Sequence, residues 1–403
     1  MKARLISLLL FCLAVTAGHG QSLGAYSDRE GPELTALSAI VVNPANGEVL
    51  WDRGGIDVRT PASTTKIMTA MLFIEKVPLD QMITIGPEVN SAQGSKIGLR
   101  AGDTISAEHL LQGIMVRSGN DACLAAAVRA SGTVEAFVAE MNAKAVELGA
   151  SSTTFKNPHG YHEEGHVTTA ADLAKIALAA IKLPDFRRVI VMPEIELVFN
   201  GGAPQKFRNR SELVGKDPTN LGIKTGWTDE AGRCFVGWHK KDDLEFISVI
   251  LGSPRSWVPD QEKLRDWVFA TFENKTLVKK GAILGKLNVA GALGGPVSLV
   301  ATKDLAAMVP KDLAAPKLEG QPKLKAPLGK GAKGGKVVWE GGLEVPLTIT
   351  EGRMAWWQPV MSVVLLLSAG VFLIWRRNNL IRARMRAQRQ RELDDIRKRA
   401  RGE

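Results

Sequence analysis

An α+β body, a small all-β domain and a membrane-crossing helix, in that order, make the fold class that this sequence predicts. Three observations carry it. Between Leu34 and Glu194, short β-branched runs alternate with helical stretches, and from Lys206 the pattern turns to successive strands. Beyond Asn274 the chain becomes rich in Gly, Lys, Val and Leu, with short alternating runs. Near the end, Met354 to Trp375 holds 22 residues without a charge. Helices packed against one side of an antiparallel sheet make an α+β domain. The composition (403 residues, 45% hydrophobic, 23% charged, 6% aromatic) is that of a folded chain. It excludes disordered, collagen-like and many-spanning membrane proteins.

The first element reads as a secretory signal over residues 1–20. Lys2 and Arg4 form its basic start, Leu5 to Val15 an apolar run of 11 residues, and Gly18 and Gly20 supply small residues, with Ala25 a second cleavage point. The run is too short to span a bilayer, and bulky Phe11 before Cys12 excludes a lipoprotein signal.

The body is expected over residues 28–274. Ala36–Val42 reads as a strand, and Gly47–Leu50 as a turn and return. Pro61 precedes a helix beginning near Ser63, with apolar residues at helical spacing. Further helices are predicted at Ala107–Met115, Asn120–Ala130, Val134–Leu148 and Ala170–Ile181. Gly222–Thr225, Arg233–Trp238 and Phe246–Gly252 fit adjacent antiparallel strands, and Lys263–Phe272 a closing helix. Residues 276–351 read as the β-domain, with strands at Val297–Thr302, Lys336–Trp339 and Leu343–Thr350 and a loop-rich middle at 316–335.

The uncharged segment, 354–375, measures about 33 Å as a helix, enough to cross a membrane. Trp356, Trp357 and Trp375 stand at its ends like an aromatic belt. The tail, 376–403, carries 11 Lys/Arg against 4 Asp/Glu and reads as helical, with a solvated or headgroup-bound face. The positive-inside rule puts this tail in the cytoplasm and the body outside the inner membrane. Of the net charge of +10, the tail and the two N-terminal cations leave about +1 for the rest. A near-neutral body argues against nucleic acid as a partner. After signal removal Cys123 and Cys234 remain; they read as two buried free thiols, with no metal or redox spacing.

Three motifs carry the chemistry. Ser63-Thr-Thr-Lys66, Ser118-Gly-Asn120 and Lys224-Thr-Gly226 each occur once. A serine opening a helix is ordinarily a cap, and a lone K-T-G a strand ending in a turn. Together, in this order, they match the set used by serine penicillin-recognising enzymes. Residues three apart share a helix face, so Lys66 lies beside Ser63. A serine hydroxyl needs an adjacent base, and Lys66 serves only if partly neutral. Burial and a second cation at Lys224 would both lower its pKa. The helix N-terminus offers backbone N–H groups to an oxyanion. Ser118 can relay a proton to the leaving amine, and Asn120 can orient substrate or water. Lys224 and Thr225 on an edge strand suit a peptide ending in a free carboxylate.

The chain resembles the penicillin-binding D-alanyl-D-alanine carboxypeptidases, the low-molecular-mass penicillin-binding proteins. PASTTKIMTA, VRSGNDAC, FKNPHG, TAADLAKIA and GIKTGWTDEAGRC are similar to family segments, in family order, over roughly residues 28–350. The resemblance implies a β-lactamase-like serine transpeptidase domain followed by the family's C-terminal β-domain. It implies Ser63 as acylated nucleophile, Lys66 as base, Ser118 and Asn120 as second-element residues, and Lys224 and Thr225 as carboxylate binders. It also implies an oxyanion hole from the backbone N–H of Ser63 and of Trp227, no cofactor, a stem pentapeptide of peptidoglycan as substrate and β-lactams as covalent inhibitors. Trp227 stands where many members have His or Tyr. The family often carries an Arg after the strand ending at Gly252, and Arg255 is the candidate.

Four other readings compete. A β-lactamase needs a device to activate water, commonly the Glu of an E-x-x-L-N segment; at GKLN, 285–288, Leu284 stands in its place. Slow release of penicillin from Ser63 is therefore expected. A zinc peptidase would use His159, His162 and His166 with Glu163 and Glu164, but the cluster reads better as a loop bordering the cleft and no metal is expected. A D,D-endopeptidase would use the same residues on cross-links. A catalytically weak muropeptide-binding envelope protein would need a degenerate site, against which the intact motifs speak.

Overall fold

A computed structural model describes residues 23–320 and 322–400. The expected signal, with Lys2, Arg4 and Cys12, lies outside the described residues except for Ala25. The chain forms two compact units. One runs to Lys275 with residues 307–314 and 340–342; the other holds 276–306, 315–339 and the chain from Leu343.

The first unit is organised on a five-stranded antiparallel sheet of order β2-β1-β9-β8-β7. Its strands are β1 (Ser38–Val42), β2 (Val49–Arg53), β7 (Asn220–Thr228), β8 (Gly232–Lys241) and β9 (Leu244–Ser253). Side chains alternate across a strand, and β9 is apolar on both faces. Ile247, Val249 and Leu251 join one core, whereas Phe246 and Ile250 join another.

The first core is covered by α1 (Lys66–Lys76), α2 (Ala107–Gln112), α3 (Asn120–Ser131), α4 (Val134–Glu147), α5 (Ala170–Ala180) and α6 (Pro184–Ile190). Residues Lys66 to Phe73 of α1 are all buried, the mark of a helix enclosed on every side. Ser106, Thr133 and Thr169 cap α2, α4 and α5, each accepting from a backbone N–H of the first turn. The second core lies under α7 (Val258–Thr271), whose Leu264 and Val268 belong to the same apolar cluster as Val41, Phe235 and Phe246. Helices therefore lie on both faces of the sheet rather than one, because both faces are apolar.

Other differences from the sequence reading are local. The helix expected near Ser63 begins as a 3₁₀ turn, Ala62–Thr65, and becomes α-helical only at Lys66. α7 starts five residues before the expected Lys263, with Pro259 in its first turn. α6 and two small hairpins, β3–β4 (Met82–Thr84, Thr104–Ser106) and β5–β6 (Glu194–Leu197, Gln205–Arg208), were not foreseen.

After β10 (Phe272–Val278), the second unit carries a five-stranded antiparallel sheet of order β11-β12-β16-β15-β14. Its strands are β11 (Ile283–Leu287), β12 (Val297–Ala301), β14 (Lys317–Glu319), β15 (Lys333–Val338) and β16 (Glu344–Ile349), with β13 (Leu305–Pro310) between β12 and β14 in sequence. The segment expected to be loop holds β14 and the start of β15. α8 (Trp357–Ala400) is one uninterrupted helix, long and apolar enough to cross a membrane. Within it Ser362 and Ser368 donate to the carbonyls four residues back, so both hydroxyls are satisfied inside the helix.

Candidate active site

Ser63 sits on the 3₁₀ turn before α1, and the residue before it is strained. Ala62 has φ +48, the left-handed region that an alanine adopts at a cost of roughly 1–3 kcal/mol. Three contacts hold it there. Thr65 Oγ1 donates to Ala62 O at 2.8 Å. A Cβ on Gly160 would stand 1.8 Å from that carbonyl oxygen, so only glycine allows the approach, and Gly160 itself has φ +78. A Cβ on Gly226 would stand 2.9 Å from Ser63 N, which places β7 against the start of the turn. In 3₁₀ geometry residues i and i+3 eclipse, and Lys66 Nζ lies 2.9 Å from Ser63 Oγ.

Lys66 is fully buried. Its Nζ also donates to Asn120 Oδ1 at 2.6 Å and to His159 O at 2.6 Å. Burial pushes its pKa down to about 8, against smaller upward pulls from Cys123 and then Asp121. Lys224 is held well below the usual lysine value, first by burial and then by the charge of Lys66. The expected repulsion between the two lysines thus falls on Lys224, while burial alone lowers Lys66.

Ser118 follows a π-helical turn, Gly113–Arg117, and adopts the left-handed conformation (φ 66, ψ 37). Such turns break the regular ladder and re-aim the chain. Asn120 opens α3; its Nδ2 donates to Gln93 O at 2.6 Å while its carbonyl takes Lys66. The structure thus directs this amide at the lysine and the neighbouring loop. Asp121 accepts from the backbone N–H of Ile97, Gly98 and Leu99, pinning that loop to α3.

Pairing of Thr154 with Val167 closes the loop that carries FKNPHG. Asn157 Oδ1 accepts from Gly160 N, and its Nδ2 donates to Tyr161 O and Glu163 Oε2. The loop is latched to α1 at Thr69, which donates to Pro158 O, and at Lys66. His166 latches it to the 3₁₀ turn: Nε2 meets Thr65 Oγ1 at 2.9 Å and Nδ1 accepts from Lys156 N at 3.2 Å. Since the Thr65 hydroxyl proton is given to Ala62 O, His166 carries its proton on Nε2. Burial, then Lys66, pushes His159 to about 3 and His166 to about 4, so both are neutral. Among the described residues, His159, His162 and His166 do not converge with the neighbouring carboxylates into a metal-holding group.

The third motif lies on β7, the edge of the sheet. A cavity of about 800 Å³ opens above Ser63, Ser118 and Asn120 and is walled by Thr225, Gly226 and Trp227. Lys66 and Lys224 are not part of its lining. Lys224 is 2% exposed and donates to Thr225 O at 3.0 Å. Arg255, the candidate from sequence, is exposed and outside the cavity. The guanidinium groups in the wall are Arg117, Arg210 and Arg233, which the sequence reading missed. Arg117 directly precedes Ser118, and Arg233 faces Trp227 across the β7–β8 hairpin; both were within reach of the motifs. Arg210 comes from a distant segment, linked through Val116 O and Ser95 Oγ, and no local pattern marks it. Cys123 and Cys234 are buried and unpaired, and burial pushes their thiols up to about 12 and about 11.

The family model described as D-alanyl-D-alanine carboxypeptidase matches residues 26–255, and that of the penicillin-binding protein 5 C-terminal domain matches 272–349. The chain is 34% identical over 346 residues to the D-alanyl-D-alanine carboxypeptidase DacC of Escherichia coli, covering 81% of this chain and 84% of the relative. It is 30% identical over 348 residues to the carboxypeptidase DacF of Bacillus subtilis, covering 83% and 90%. The solved D-alanyl-D-alanine carboxypeptidase DacD of Francisella tularensis superposes with a TM-score of 0.70 at 25% identity, over 81% of this chain and 95% of that one. With one family model spanning more than half of the chain, the chain belongs to the D-alanyl-D-alanine carboxypeptidase family of serine peptidases.

Proposed function

We propose that this protein removes the terminal D-alanine from the pentapeptide stems of peptidoglycan through an acyl-enzyme on Ser63. The observation that carries this reading is the buried Lys66, its pKa near 8, with Nζ 2.9 Å from Ser63 Oγ. Neutral Lys66 takes the proton of Ser63 as Oγ attacks the carbonyl between the two alanines. The backbone N–H groups of Ser63 and Trp227 receive the oxyanion. The C–N bond breaks, and the leaving amine takes a proton by way of Ser118. Water, deprotonated by Lys66, then releases the shortened stem and restores Ser63. Lys224 and Thr225 favour a substrate that ends in a carboxylate.

A β-lactam would acylate the same serine and leave slowly. The proposed arrangement has residues 28–274 as the catalytic domain, 276–351 as the β-domain, 354–375 as the span and 376–403 as a cytoplasmic tail. The catalytic domain then lies outside the inner membrane, where it trims stems during wall maturation and shaping of the cell.

The test uses the purified full chain in detergent beside Ser63→Ala. Each is incubated with pentapeptide muropeptide monomer and cross-linked dimer, and the products are weighed. Monomer losing one alanine while dimer stays whole supports a carboxypeptidase. Splitting of dimer makes the enzyme a cross-link endopeptidase. No change with either protein leaves a muropeptide-binding protein.

A further inference from the structure

On the reading above, α8 crosses the inner membrane, and the chain just before it is no free linker. Three segments of the β-domain are laced together there. Leu328 and Arg353 exchange both backbone hydrogen bonds, at 2.8 and 2.7 Å. Leu293 N donates to Met354 O at 3.0 Å, Trp356 N donates to Gly291 O at 3.1 Å, and Ala292 pairs with Ala355 between them. Ala290 ties in the third segment, donating to Leu324 O and accepting from Ala326 N. The Arg353 guanidinium closes the corner on Gly295 O and Pro296 O. Ala355 N donates to Gln358 Oε1 in the first turn of α8, so the lacing runs into the helix without a break. Trp356 and Trp357 set the depth of the span at this end. Leu293 is bonded to the chain two residues before Trp356, so its loop is held at the same depth.

We infer that this base of the β-domain is a membrane-docking surface: Leu293 enters the interface beside Trp356, and Lys323, Lys325 and Lys330 sit on anionic phospholipid headgroups. Leu293 is 49% exposed and Trp356 63%, apolar surface that the upper acyl chains would cover. The loop 289–296 that carries Leu293 holds no charge. Beside it, residues 322–333 hold four lysines and no Asp or Glu, and all four lysines are exposed. Among the described residues none of the four meets a carboxylate, whereas Lys336 pairs with Glu344. The wider stretch 276–353 carries 12 Lys/Arg against 6 Asp/Glu, so the excess of positive charge is a property of the domain and is left unneutralised at its base. Apolar side chains flanked by unpaired lysines complement an anionic bilayer surface. A lysine stem lies along apolar surface while its ammonium stays at headgroup level. Docking then fixes the β-domain in tilt, where the span alone fixes it in depth.

The test places the full chain in vesicles of phosphatidylcholine and phosphatidylglycerol, with an environment-sensitive fluorophore on one introduced cysteine at a time. Cys123 and Cys234 are buried and stay unlabelled. The three positions are Leu293→Cys at the base, Glu344→Cys at the far end of β16 and Leu366→Cys within the span. Glu344 stands five strand residues from Ile349, about 17 Å farther from the base. Lipid spin-labelled high on the acyl chain should quench Leu293→Cys and spare Glu344→Cys. A lysine at an anionic headgroup is worth about fivefold in occupancy, so labelled phosphatidylglycerol should quench Leu293→Cys several-fold more than labelled phosphatidylcholine. Replacing Lys323, Lys325 and Lys330 with Gln should bring the two lipids to parity. A Leu293→Cys probe that neither lipid quenches, while lipid labelled in mid-chain quenches Leu366→Cys, overturns the inference and keeps the span. Parity of the two lipids before the lysines are replaced overturns it too. So does a Leu293→Cys probe that is indifferent to lipid and shielded by added peptidoglycan fragments, which gives this face to the wall polymer. If Leu366→Cys also escapes quenching, the helix does not cross the bilayer, and the reading beneath the inference has failed instead.

Discussion

Beneath the cleft, Lys66 Nζ meets three acceptors, Asn120 is held from both ends of its amide, and the strained Ala62 carbonyl is clamped by Thr65 and Gly160. At the rim, Trp227 is 52% exposed and Arg233 is held only by a ring face among the described residues. The floor is over-determined: Lys66, the Asn120 amide and the Ala62 carbonyl all have partners, so the position of Ser63 follows from many contacts at once. The rim is under-determined, with a cation and an aromatic surface whose polar demands a ligand can meet. Chemistry is expected from the rigid part and selection from the open one. Substitutions below should therefore remove turnover for every substrate, whereas substitutions above should change how tightly a substrate is held.

The largest effect is expected at the floor. Lys66→Ala removes the base and leaves Asn120 Oδ1 and His159 O without their shared donor. A fall in kcat of about 10²–10⁴ is expected, the span of general base catalysis. Labelled penicillin would measure acylation directly, and unchanged acylation would show that the proton leaves Ser63 by another route. Gly226→Ala comes next. Its Cβ would meet Ser63 N at 2.9 Å and push the turn aside. A displacement of about 1 Å at a reacting atom costs on the order of 10²-fold, so the loss should fall on kcat. A loss confined to KM would erase the division between floor and rim.

A smaller effect follows from pH. With its pKa near 8, about one Lys66 in ten is neutral at pH 7. kcat/KM should rise about tenfold from pH 7 to pH 9 and then level. Stability runs the same way. The folded value lies below the ordinary 10.5, so the unfolded chain holds more protons between pH 8 and 10.5, and the folded state gains as pH climbs through that window. Lys224, also lowered, adds to the gain. A flat rate profile over this range would assign the base to another group.

The floor was more legible in the sequence than the rim, and the reason is range. Ser63 and Lys66 meet through a three-residue spacing that any helical turn enforces. The three motifs converge because the family order of helix, loop and strand is written in local patterns. Ala62 is different: its left-handed φ depends on Gly160 and Gly226 arriving from remote segments, and nothing near Ala62 announces them. The inward turn of Lys224 is equally hidden, since alternation gives two faces but not which of them meets Ser63. β1 pairs with β9 across some 200 residues of intervening chain, so the sheet order was out of reach although its strands were foreseen. Arg233 needed only the register of one hairpin, but the residue after a K-T-G draws attention along its own strand rather than across to the next.

The smallest effect belongs to the ring beneath Arg233. Trp227→Phe keeps an aromatic face with a weaker pull on a cation, and Trp227→Ala removes the face altogether. A cation over an aromatic ring at an exposed site is worth about 0.5–1 kcal/mol, so Trp227→Ala should raise KM about two- to fivefold, and Trp227→Phe less. Neither should alter kcat, because the backbone N–H of residue 227, the group assigned to the oxyanion, survives both substitutions. Separate measurement of kcat and KM, with melting temperature as a control, tells the two roles of this position apart. If kcat drops with the ring, Trp227 belongs to the floor, and the line between rigid chemistry and open selection runs beyond residue 227 of β7.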